Sequence, residues 1–137
     1  MKAIFVIGLF FLIISCSSSE ETSSNSGELN GGWLPVKQMI GGQELPIESF
    51  ENERLAIVGK TFLFVAEGAD EGTVTYSDGI MDIYVEVGAN AGKHFMAIYK
   101  LEQNLLTICY DLKGTDYPAS FDTSTNPNLF LSVFRKE

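Results

Sequence analysis

The chain has 137 residues, nine lysines and arginines against 18 acids, and a net charge of −9. An acid excess of this size excludes the phosphate neutralisation that nucleic-acid binding requires, and it excludes electrostatic docking on anionic lipid. The length suits one domain with a single core, and two cysteines provide no disulfide framework.

The first stretch, Met1 to Cys16, reads MKAIFVIGLFFLIISC. A lysine, a twelve-residue apolar run from Ala3 to Ile14 and a small residue at Ser15 follow the order of a secretory signal. The run is too short for comfortable residence as a permanent membrane span. Ile13-Ile14-Ser15-Cys16 resembles the bacterial lipobox. That resemblance implies a signal peptide over 1–15 and a lipidated Cys16 as the first mature residue. An ordinary secretory signal leaving Cys16 free, or an uncleaved tail, are the other readings of the same residues. One acyl chain binds a membrane only marginally, so the several chains of a bacterial lipoprotein imply permanent anchoring. The mature chain would then carry 8 basic and 18 acidic residues, a net −10.

Residues 16–30 follow as an expected disordered Ser/Glu tether. Ser17 to Glu28 holds six serines, three glutamates and no apolar residue, so it has nothing to bury. As a flexible coil it spans roughly 20 Å, from about 5–6 Å times the square root of its length. Glu20 and Glu21 resemble the surface-export signals of some bacterial lipoproteins. The expected location is the cell envelope, on the outer membrane, facing either the periplasm or the surface.

From Gly31 to Glu137 the chain alternates short apolar, β-branched runs with glycine-bearing turns. Strands are predicted over Trp33–Ile40, Arg54–Val58, Thr61–Ala66, Gly72–Tyr76, Ile80–Val87, His94–Leu101, Leu105–Leu112 and Leu129–Arg135. Pro46, Glu48 and Glu51 suit one short helical turn between the first two. Asp78-Gly79 is a tight-hairpin signal. Ile80–Val87 alternates cleanly, with Met81, Ile83, Val85 and Val87 on one face. Eight sequential strands with short connections predict an all-β fold, an antiparallel up-and-down barrel or a sandwich.

Gly32-Trp33, Gly92-Lys93, Ile98-Tyr99, Leu106-Thr107-Ile108-Cys109, Gly114, Pro118-Ala119-Ser120-Phe121 and the closing Arg135-Lys136-Glu137 together resemble a small lipocalin-like domain family of unassigned function, of planctomycete type. The resemblance covers about residues 31–137 and departs at Tyr117, where arginine is frequent. It implies a lipocalin-like β-barrel of about eight strands whose closed end is plugged by Trp33 with Arg135 packed over it. Thr115-Asp116-Tyr117 also matches a lipocalin tripeptide.

Catalytic chemistry finds little footing. His94 is the sole histidine and lacks ligand-spaced partners, no Gly-x-Ser-x-Gly is present, and Gly88–Lys93 lacks the spacing of a phosphate loop. Asp111, Asp116 and Asp122 cluster in sequence without a calcium-loop pattern. Cys109, inside an apolar run, is expected to be a buried, inert thiol. The expectation is a protein that is not an enzyme and needs no cofactor or metal. Two readings follow: a membrane-anchored lipoprotein whose barrel binds a small apolar ligand, or a filled barrel that contacts another envelope protein. The direction taken by Phe62, Phe64 and Phe95 separates them, because inward rings reduce the cavity.

Overall fold

In a computed structural model, which describes residues 25–137, the apolar faces of the strands roll into one closed sheet. The strands are β1 (Gly31–Ile40), β2 (Gln43–Glu44), β3 (Arg54–Val58), β4 (Thr61–Val65), β5 (Ala69–Ser77), β6 (Ile80–Val87), β7 (His94–Glu102), β8 (Leu105–Asp111) and β9 (Leu129–Lys136). All pairings are antiparallel and run between sequential strands, except that β1 skips the two-residue β2 to reach β3 and that β9 returns to β1. The result is an eight-stranded up-and-down lipocalin-like barrel, with β2 as a stub on one rim. Every strand pairing lies within residues 31–136, so this segment carries a complete hydrogen-bonded barrel by itself.

All eight expected strands are present. The stub β2 was not anticipated, because Gln43 and Glu44 are exposed and carry no apolar pattern. It forms because Gly41 and Gly42 both take positive φ, 54° and 84°, and reverse the chain in two residues. The expected helical turn is a 3-10 turn at Ile47–Ser49, directly after Pro46. A second such turn, Thr123–Thr125, lies where no helix was expected. It rests on the Asp122 carboxylate, which accepts from the Ser124 N–H, and not on any apolar period.

One end of the barrel is closed and dry. Trp33, Val74, Met81, Ala97 and Leu106 meet there, each no more than 1% exposed. Residues 25–30 cross beneath them. Leu29 is fully buried, its N–H donates to the Tyr76 hydroxyl, and its carbonyl accepts from the Trp33 indole at 2.9 Å. Asn25 donates to the Gly59 and Val74 carbonyls and accepts from the Tyr76 N–H. The expected tether, 16–30, is corrected accordingly: the ordered domain includes residues from Asn25 onward. Asparagines that look solvating in sequence here satisfy backbone groups left open at the barrel floor. The expected signal peptide, Cys16 and the tether up to residue 24 lie outside the described residues.

The run Leu105–Tyr110 is almost continuously apolar because β8 is covered on both faces. Leu106, Ile108 and Tyr110 face the interior. Cys109 and Leu131 face outward, yet are buried. The link 112–128 lies over that wall, with the Cys109 thiol 4.0 Å from the Ser120 carbonyl oxygen and the Lys100 ammonium over the Phe121 ring. Burial pushes the Cys109 thiol up to about 11, which keeps it a neutral, unreactive thiol.

Leu29→Ala removes a fully buried side chain from the floor and should destabilise the barrel by about 2–5 kcal/mol in urea unfolding. A change below about 0.5 kcal/mol, the scale of an exposed substitution, would show that residues 25–30 lie outside the cooperative unit.

Candidate functional site

The opposite end of the barrel is open, and strand alternation decides what lines it. Phe62 and Phe64 from β4, Ile83 from β6, Phe95 from β7, Tyr110 from β8 and Phe130 from β9 all point inward. Seen from sequence, inward phenylalanines would have closed the interior. They enclose a cavity of about 330 Å³ instead. The reason is axial position: Phe62 lies low and is buried, whereas Phe64, Phe95 and Tyr110 stand higher and pack against the wall around the space. A volume near the lower end of the roughly 300–1,000 Å³ range of ligand pockets matches the limited bore of eight strands.

The side of this cavity between β1 and β3 is sealed by side chains. Backbone pairing of β1 with β3 ends at Trp33–Leu55. Beyond it a bulge between Pro35 and Lys37 resets the phase of β1, so that Gln38 faces inward and is only 4% exposed. Its amide donates to Glu53 Oε1 at 2.7 Å and to Ser132 Oγ at 3.4 Å. Glu53 is half-buried, and burial raises its carboxyl above the ordinary range despite the Gln38 hydrogen bond.

A second carboxylate stands on the other side. Asp70 of β5 lines the cavity and is held by the Asn90 side-chain amide at 2.7 Å. The loop Gly88–Lys93 reaches Asp70 because Gly88, at φ 117°, lies against it with no room for a Cβ. Lys93 also borders the cavity, but it is exposed and its ammonium donates to Asn90 Oδ1 at 3.0 Å. Tyr110 of β8 lines the same cavity. Its ring packs between Phe95, 5.1 Å away, and Phe130, 5.5 Å away. Its phenol makes no hydrogen bond among the described residues, and burial first, then the charges of Glu53 and Asp70, push its ionisation far up. None of Gln38, Glu53, Asp70, Asn90 or Tyr110 was singled out from sequence. The only available signal was a polar residue, Gln38 or Tyr110, at an otherwise apolar inward position.

The expected residues fall elsewhere. Trp33 sits at the closed end, 1% exposed. The expected Arg135 partner is corrected: Lys136 lies over the indole, its ammonium 5.4 Å from the ring centroid, while Arg135 is exposed. The register explains this. Trp33 is directly opposite Lys136, and facing residues share a side of the sheet, so the adjacent Arg135 points to the other side.

His94 and Tyr117 meet on the outer wall. Both reach Asp82 Oδ1, His94 Nε2 at 2.8 Å and the Tyr117 hydroxyl at 2.6 Å, and the His94 ring stacks on Tyr84 at 4.2 Å. The Asp82 hydrogen bond is the largest cause that pushes the Tyr117 phenol up to about 12. This cluster fastens the 112–128 link to β6 and β7. Tyr117 therefore presents a donor to an acid. Asp111, Asp116 and Asp122 each serve a local turn, accepting from the Lys113, Tyr117 and Ser124 N–H groups respectively. Among the described residues, no group of three or more metal-ligating side chains is assembled.

Lys136→Ala should shift the emission of Trp33, the single tryptophan, and cost about 0.5–1 kcal/mol, the scale of a cation over a ring at an exposed site. Arg135→Ala should leave the emission unchanged; the reverse pattern would restore the arginine pairing. No family model, no curated protein and no solved structure matches this chain.

Proposed function

We propose that this chain is a lipid-anchored envelope protein whose barrel takes up one small, mainly apolar molecule. The observation that carries the ligand reading is the cavity of about 330 Å³, walled by Phe64, Ile83, Phe95, Tyr110 and Phe130 and partly open to solvent. Space for a ligand in place of interlocked side chains forgoes packing contacts, which a stable scaffold would otherwise keep. The floor formed by residues 25–30 and Trp33 compensates with a fully packed lower half. The anchoring reading rests on the lipobox-like Ile13-Ile14-Ser15-Cys16.

The geometry favours transfer or storage over reaction. The inward groups are apolar apart from Gln38, Asp70, Asn90, Lys93, Tyr110 and Ser132, and no nucleophile there is paired with a base. A molecule entering from the open end exchanges water for hydrocarbon contact, worth about 0.8 kcal/mol per methylene, or close to fourfold in affinity.

A soluble form beginning at Ser17, which retains every strand pairing and the floor, tests the ligand reading. Affinity for straight-chain alcohols should rise roughly fourfold per methylene and level off once the cavity is full. Ile83→Trp, which adds six non-hydrogen atoms to the wall, should make the series level off at a shorter alcohol with the fold intact by circular dichroism. Absence of binding throughout the series would return the barrel to a filled, interacting role. For the anchor, Cys16→Ser should abolish labelling by a fatty-acid probe in a bacterial host, and undiminished labelling would remove the claim.

A further inference from the structure

We infer that the cavity selects an amphiphile with a cationic, ammonium-type head, placed at the end where Asp70 and Tyr110 line the wall and Glu53 stands behind Gln38, with its apolar tail directed to the closed end. This rests on the barrel being the ligand site and adds the chemistry of the head group.

Three independent observations converge on it. The first is the arrangement of charge. Asp70 lines the cavity and Glu53 stands behind Gln38, both half-buried. Among the described residues neither is within 4.0 Å of a basic side chain; the ion pairs are Arg54 with Glu137 and His94 with Asp82. Their partners are neutral amides, Gln38 and Asn90. Two half-buried carboxylates satisfied only by amides leave a negative potential at the mouth. The charge that relieves it in a poorly solvated site is positive.

The second is the aromatic surface. Phe95, Tyr110 and Phe130 form one continuous wall, with centroid separations of 5.1 and 5.5 Å. Ring faces attract ammonium groups, and desolvated sites strengthen that attraction. The third is the hydroxyl of Tyr110, a half-buried lining residue, which has no hydrogen-bond partner among the described residues. Its oxygen can accept from an ammonium N–H.

Lys93 is the one basic side chain at the cavity. It is exposed to solvent and its ammonium is held by the same Asn90 amide that holds Asp70, so it offsets part of that charge and leaves Glu53 and Asp70 together in excess over it. A carboxylate head would add a third negative charge beside Glu53 and Asp70. It would have to draw the Lys93 ammonium away from Asn90 Oδ1. The size of the tail follows from the volume. At about 30 Å³ per non-hydrogen atom, taking the liquid-water share as the unit, 330 Å³ holds roughly ten atoms.

Octylamine, octanol and octanoate share one tail and differ in head charge at pH 7. Their binding to the form beginning at Ser17, measured by calorimetry, tests the inference. Octylamine is expected to bind at least tenfold more tightly than octanoate, with octanol between them. Asp70→Asn should remove most of that preference and leave octanol unchanged. Glu53→Gln supplies the same test if the Asp70 variant fails to fold. Equal binding of the three, or preference for octanoate, overturns the head-group assignment and leaves the apolar barrel standing. Binding of none overturns both.

Discussion

Seven residue pairs, from Trp33 with Lys136 to Ile40 with Phe130, join β1 to β9 and leave the sheet without a free edge. Closure has two consequences. It removes the unpaired backbone groups through which an open sheet would recruit other chains. It also divides every strand into an inner and an outer row, so that each inward side chain must share one narrow bore. The bulge after Pro35 tunes this division. Proline has no N–H to give to the ladder, and the extra residue at Val36 shifts the phase of β1. Trp33 before the bulge points to the floor, and Gln38 after it points into the cavity wall.

The barrel is thereby split along its axis. Its lower end is close-packed around Leu29, Trp33, Ala97 and Leu106, and residues 25–30 supply the floor. Its upper half has aromatic walls and open space. A single closed sheet can hold both because stability and cavity occupy different levels of the bore. The rigid lower half fixes the register of all eight strands, and that register holds the upper rings apart.

Polar groups follow the same logic. Gln38 bridges the gap where β1 and β3 cease to pair, and it carries Glu53 with it. Asn90 reaches Asp70 from a loop whose close approach depends on Gly88. On the outer wall, Asp82 collects His94 and Tyr117 and ties the long link to the barrel, and the same link buries Cys109. The Tyr110 hydroxyl, by contrast, has no hydrogen-bond partner among the described residues.

Strand positions and hairpins were legible from residue order, because a period of two and glycine-bearing turns are local properties. The strand Ile80–Val87 and its Asp78-Gly79 turn were legible in the sequence, as were Met81, Ile83 and Val85 on its inward face, whereas Val87, expected on the same face, is 59% exposed beyond a bulge in the pairing with β5. What the sequence could not decide depends on pairing between distant residues. Whether Arg135 or Lys136 meets Trp33 turns on a one-residue register across the barrel. Whether residues 25–30 float or plug the floor turns on hydrogen bonds to partners as far away as Val74 and Tyr76. Whether Phe62, Phe64, Phe95, Phe130 and Phe134 fill the bore or surround a space depends on their height along an axis that exists only after closure. The sequence by itself determined the all-β class, the strand order and the acidic surface. Tertiary structure alone decided the cavity and the polar groups around it, because both arise where β1, β5, β8 and the loops are brought together by the closure of the sheet.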